Sequence, residues 1–250
     1  MGKHYLNVNY DGTIFEWSKD SAEGFVKHTN SAGKESYRKY YNKGVEGKLV
    51  CINKKTNPNL HNREEIEIVL NGQGDESYNL TFVVYGQDNF LDTYTEHLVK
   101  YLPKLEKSVT YNINNWFIKK GDTINGSVAE RNAKGITVKV DGVKIEPALT
   151  YKSDENPNGD IPALVWKEKG DKKVPSAASK EERSDYLYNI LQTEAERLKW
   201  SQGEQQPSTS TPQPKAETPK NAVPTASPQE AFAPATNYVP DNPKIDQLPF

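Results

Sequence analysis

The chain has 250 residues, 34% hydrophobic and 26% charged, with a formal net charge of -2 and one cysteine. No apolar run is long enough to span a membrane, and a lone cysteine excludes a disulfide within the chain. The opening MGKHYLNVNY lacks the apolar segment of a secretory signal, and Leu6 stands where a myristoylation signal needs Ser or Thr, so a cytoplasmic protein is expected.

The charge is unevenly spread. Residues 201–250 hold five acids and three bases, which leaves the first 200 residues neutral. Between Gly24 and Lys55 eight bases (Lys27, Lys34, Arg38, Lys39, Lys43, Lys48, Lys54, Lys55) face two acids (Glu35, Glu46), a local +6. A basic stretch near one end and an acidic, apolar tip at the other point to two different partners.

In chain order, Thr13 to Trp17 alternates like a short strand. Gly24 to Gly44 interleaves its bases with Phe25, Tyr37, Tyr40 and Tyr41 around an AsnSerAlaGly turn, which predicts an extended or hairpin-like segment over the front of a domain. Gly47 to Ile52 is an apolar run in which Cys51 reads as a small buried hydrophobe. Glu64 to Leu70 alternates, with Ile66, Ile68 and Leu70 on one face and Glu65, Glu67 and Val69 on the other. It pairs as a hairpin with Tyr78 to Tyr85 across AsnGlyGlnGlyAsp. Leu91, Tyr94, Leu98, Tyr101 and Leu105 recur at helical spacing, and Pro103 ends or kinks that helix. Strands then follow at about Val109 to Ile118 and Gly135 to Val140.

Three strands, a helix and two strands is the order of the five-stranded Greek-key barrel called the OB-fold, with its helix between strands three and four. The expected fold class is therefore mainly β with a helical component. Ala148 to Lys173 reads as loop around Ile161 and Trp166. A last helix, about 179–199, starts at a Ser179/Glu182 capping box and carries a stripe of Leu187, Ile190, Leu191, Ala195 and Leu198. Residues 1–200 thus form the domain. Residues 201–240, almost all Pro, Ser, Thr, Gln and Ala, read as a disordered linker. Residues 241–250 are a tip in which Ile245, Leu248, Pro249 and Phe250 stand beside Asp241 and Asp246, a pattern suited to docking a partner.

Cations that track phosphates and rings on which bases stack are what single-strand binding needs. The residues that fit are Phe25, Lys27, Tyr37, Arg38, Lys39, Tyr40, Tyr41, Lys43, Lys54 and Lys55, with Trp116, Lys119 and Lys120 as a second group. In an extended backbone Tyr37, Lys39 and Tyr41 share one face, and Arg38 and Tyr40 the other. Trp17 with Lys19 repeats the pairing more weakly, and Trp166 and Trp200 read as anchors for the loop and the last helix. Catalytic signals are absent: His4, His28, His61 and His97 show no ligand spacing, and no P-loop or nucleophile elbow occurs. No metal or cofactor is expected, although Glu65 and Glu67 share a strand face where a nuclease could hold a divalent ion.

On its basic-aromatic segment, its linker and its final Leu248-Pro249-Phe250, the chain resembles the single-stranded DNA-binding proteins, in their bacteriophage style. That resemblance implies a non-catalytic protein that coats single-stranded DNA in phage replication, recombination or repair, on DNA in the infected bacterial host. It also implies that the tip docks polymerase, helicase or recombination proteins. The family's acidic run is denser than Asp241 and Asp246, with Lys244 between them. A protein-interaction or virion adaptor module is the alternative reading, and a metal-dependent nuclease the third.

Overall fold

Alternation of buried and open positions builds the central strands of the computed structural model, which describes residues 2–30, 33–124, 126–170 and 172–199. Strand β5 (Val45–Asn57) pairs antiparallel with β6 (Arg63–Asn71), and β6 with β7 (Glu76–Val83). Glu65, Val69, Ser77 and Asn79 are buried on one side, while Ile52, Ile66, Ile68, Leu70, Leu80 and Phe82 point to the other and are fully buried. Cys51 is buried as well. The same side is lined by β8 (Thr110–Ile118) and β11 (Ala133–Val140), through Tyr111, Ile113, Ile136 and Val138.

Four N-terminal strands complete the sheet: β1 (Gly2–Val8), β2 (Ile14–Ser18), β3 (Val26–Thr29) and β4 (Glu35–Tyr40). With β12 (Val143–Lys144) they give one ten-stranded sheet in the order β12-β11-β8-β5-β6-β7-β1-β2-β4-β3. Two small hairpins stand apart, β9 (Thr123–Ile124) with β10 (Ser127–Val128) and β13 (Trp166–Lys169) with β14 (Lys172–Pro175). The second lies where a loop was expected, and it includes Trp166.

This is not a five-stranded OB barrel. Closing such a barrel would require the last barrel strand, β11, to pair with β7. Instead the free edge of β7 is taken by β1, in parallel, from Gly2↔Glu76 to Asn7↔Thr81. Leu6, fully buried, lies beside Leu80. Counting strands from Gly47 left out this N-terminal competitor, whose Leu6 and Val8 alternate with exposed Tyr5 and Asn7.

Helix α1 (Thr93–Val99) is capped by Asp92, whose carboxylate accepts from the Tyr94 N–H at 2.8 Å. It ends at Val99, and Pro103 sits in a separate 3-10 turn, Leu102–Lys104. Helix α2 (Ala177–Leu198) starts earlier than expected, because Ser176 rather than Ser179 is its N-cap and accepts from the Ser179 N–H at 3.2 Å. Leu187, Leu191, Ala195 and Leu198 join the core. Arg197 Nη2 donates to the Leu102 and Leu105 carbonyls, each at 2.9 Å. Among the described residues no helix is long and apolar enough to cross a membrane.

The Leu91 N–H donates to the buried Ser184 Oγ at 3.0 Å, tying α2 to the segment before α1. Ser184→Ala leaves that N–H without an acceptor and is expected to lower stability by about 1–3 kcal/mol. Urea denaturation checks this as a lower midpoint at unchanged slope.

Candidate functional site

The four N-terminal strands carry a row of large side chains on the face turned away from the core. Register sets the row: Phe15 lies opposite Tyr40, Trp17 opposite Arg38, and Arg38 opposite Val26. Across β1, Asn7 faces Phe15, and Tyr5 continues the same side next to Trp17. Tyr5 is 55% exposed, Val26 53%, Trp17 47% and Tyr40 37%, which makes them a cluster of exposed large apolar side chains at this end of the sheet. The Arg38 guanidinium lies 4.4 Å from the Phe15 ring centre, and Lys3 Nζ lies 5.3 Å from that of Tyr5. Arg38 Nε is buried without a hydrogen-bond partner. An aromatic surface with embedded cations is thus displayed on paired, regular strands.

The opposite side of β1 and β2 is fastened by polar side chains. His4 Nδ1 donates to Glu16 Oε2 at 2.9 Å, and the Tyr41 hydroxyl donates to the same oxygen at 3.2 Å. His4 stacks on Tyr78 at 5.3 Å, Tyr41 meets Tyr78 edge-on at 6.0 Å, and the Tyr78 hydroxyl donates to Glu76. Burial first, then the Glu76 carboxylate, pushes Tyr78 up to about 12, and burial followed by Glu16 raises Tyr41.

The sequence-predicted residues fall into three groups that the sheet keeps apart. Phe25, Lys27, Tyr37, Arg38, Lys39 and Tyr40 belong to β3, β4 and the turn before them, with Tyr37 and Lys39 on one face and Arg38 and Tyr40 on the other. Tyr41 turns inward to Glu16, and the Lys43 carbonyl accepts from Asn112 Nδ2 at 3.3 Å. Lys54 and Lys55 stand on β5, which β2, β1, β7 and β6 separate from β4. Lys119 and Lys120 lie in the turn after β8, their N–H groups bound to Asp122 and Asn132 at 2.7 Å. Trp116 is half-buried over Gly135, where a Cβ would come within 2.5 Å of its ring, and edge-on to His97 at 6.4 Å.

Three of the eight bases between Gly24 and Lys55 are also paired with carboxylates on folding. Lys27 pairs with Glu35 at 2.6 Å, Lys54 with Glu64 at 3.2 Å and Lys55 with Glu67 at 2.8 Å. Glu65, a candidate metal ligand in the nuclease reading, is bound by Arg63 at 2.6 Å. Among the described residues no group of three or more His, Cys, Asp or Glu could hold a metal ion. Between Ile14 and Tyr41 five bases face four acids, a balance of +1. The tip residues Asp241, Ile245, Asp246, Leu248, Pro249 and Phe250 lie outside the described residues.

Compared with family models, curated proteins and solved structures, the chain matches none. The reading as a single-stranded DNA-binding protein therefore does not hold. Its barrel is replaced by an open mixed sheet, its cations are dispersed and in part paired, and its resemblance finds no matching relative. The replication, recombination and phage roles that followed from it lose their basis. What sequence reasoning missed is the partnership of Tyr5 and Phe15 with Trp17, Arg38 and Tyr40, since β1 was not read as a strand. The alternation in HisTyrLeuAsnVal was the available signal.

Burial beside Trp116, reinforced by Lys100 and Lys134, pushes His97 down from its ordinary 6.5 to about 3. A depressed value means that the folded protein favours the neutral ring. Its contribution to stability is complete above about pH 6.5 and is lost as pH falls from there toward 3. Denaturation midpoints measured across that window are expected to fall, and His97→Gln to flatten the fall.

Proposed function

We propose that this protein acts without catalysis as a docking module that binds another protein through the outer face of β1, β2, β4 and β3. The observation that carries the reading is the row Tyr5, Trp17, Tyr40 and Val26, exposed on one face with Arg38 set among them. Trp, Tyr and Arg dominate the energetics of protein interfaces, because large rigid rings bury much area for few lost rotamers. A near-neutral surrounding surface favours a protein partner over an anionic polymer, whose affinity scales with the number of unpaired cations. The Arg38 guanidinium, a cation set over Phe15, supports a partner that brings a carboxylate or carbonyl oxygen to the centre of the row. On sequence grounds the tip around Leu248, Pro249 and Phe250 is a second docking element.

The test uses the full chain as bait, followed by purification of the recovered protein and calorimetric titration back onto the bait. Trp17→Ala and Arg38→Ala are each expected to weaken binding by about tenfold or more, the loss typical of central Trp and Arg contacts. Unchanged affinity in both variants, or a complex that dissolves on nuclease treatment, overturns the reading.

A further inference from the structure

Strand β3 is the last strand of the ten-stranded sheet, and among the described residues no strand lies beside its outer edge. Which of its main-chain groups face that edge follows from the hairpin turn. The Asn30 N–H donates to the Lys34 carbonyl at 3.0 Å, so Asn30, and by alternation His28 and Val26, turn their N–H and C=O groups toward β4. Lys27 and Thr29 then turn theirs outward. The next residue of that parity, Phe25, already spends its N–H on the Ala22 carbonyl at 3.0 Å. The open edge therefore offers two N–H and two C=O groups, from two residues spaced for one more antiparallel strand.

Natural sheets guard such an edge with Pro, bulges, very short strands or charged side chains, lysine above all, and β3 has four residues with one lysine, Lys27. Residues 26–29 contain no Pro, their pairing with β4 has no register break, and Lys27 is tied to Glu35 at 2.6 Å. At the other end of the sheet, β12 is only two residues long.

We infer that this edge pairs with β3 of a second copy of the chain, antiparallel about a two-fold axis through His28. The inference rests on the docking reading above and names a partner for the same strands. Only one register uses every outward group. Lys27 of each copy lies opposite Thr29 of the other, which closes four main-chain hydrogen bonds, and the two His28 residues meet as a non-hydrogen-bonded pair on the axis. A register centred on Lys27 would set two ammonium groups face to face, and one centred on Thr29 would leave Lys27 outside the ladder. Pairing through even register keeps the faces aligned, so the Val26, Arg38 and Trp17 rows of both copies flank the seam on one side. The wing's balance of +1 gives little repulsion between copies.

Sedimentation equilibrium of the full chain up to about 500 µM, a range suited to weak interfaces, is expected to show a monomer–dimer equilibrium. Thr29→Pro, which removes one outward N–H on each copy, is expected to raise the dimer dissociation constant by about tenfold or more. His28→Cys provides a second measurement that tolerates some loss of affinity. Cα atoms about 4.5 Å apart in a non-hydrogen-bonded pair suit a disulfide, so mild oxidation should link copies through residue 28, while Val143→Cys on β12 should not cross-link. A monomer throughout the range, a dimer indifferent to Thr29→Pro, or cross-linking through residue 143 instead of 28 overturns the inference. A monomer that still loses its partner on Trp17→Ala would sink self-pairing and leave the docking role standing. A dimer with no other partner would confirm the pairing and confine the docking role to it.

Discussion

The parallel ladder between β1 and β7 is the constraint on which the outer half of this sheet depends. It is the one parallel strand pair in the ten-stranded sheet among the described residues. Parallel pairing demands a long connection, and here the chain from β2 through β6 supplies it. Once Leu6 is seated beside Leu80, β2 pairs back on β1, β4 on β2 and β3 on β4, with no other strand touching them. The fastening of His4 and Glu16 to Tyr41 and Tyr78 works in the same place, on the core side of the junction. The same ladder excludes the closed barrel, since it occupies the edge that β11 would need.

Local pattern made the central elements legible, and partnership at long range did not show. Ile66, Ile68 and Leu70 alternate strictly, so β6 could be read with its correct inward face, and AsnGlyGlnGlyAsp marked the hairpin to β7. AsnSerAlaGly marked the β3–β4 turn, where Gly33 adopts the left-handed conformation at φ 76°. Neither motif says which strand lies beside β7, because parallel and antiparallel neighbours ask for the same alternation. The start of α2 was misread for a related reason. Ser176 and Ser179 both offer a capping hydroxyl, and only the Ser179 N–H donating to Ser176 Oγ shows that Ser179 already lies inside the first turn, its own hydroxyl bound to Val165.

The basic segment illustrates how a charge count can mislead. Summed along residues 24–55 it looks like a track for an anionic polymer, yet the strands that run through it diverge in the sheet. Lys54 and Lys55 are carried onto β5, where the facing strand supplies Glu64, Glu65 and Glu67. Cross-strand pairing of opposite charges is an ordinary way to populate the solvent side of a sheet, worth tenths of a kcal/mol to about 1 per pair. The acids that pair with Lys54 and Lys55 lie outside the window that defined the segment, and its local +6 is divided between two separate parts of the sheet.

What is left after this balancing is the hairpin β3–β4, and its composition is the part of the chain that folding does not explain. None of its side chains is in the buried core. A two-stranded hairpin at the end of a sheet gains little from burial and would be served by Thr, Ser and short polar residues. Instead it presents Val26, Arg38 and Tyr40 next to Trp17, with no second layer over them among the described residues. Solvent-exposed rings of this size are unfavourable in isolation and gain once another surface excludes water from them, all the more where the neighbouring Phe15 already carries a guanidinium. An edge whose hydrogen-bonding groups are unguarded adjoins the same rings. Apolar area supplies the attraction at this end of the sheet and main-chain pattern supplies the register, so the two features that the fold leaves unused lie side by side on the same pair of strands.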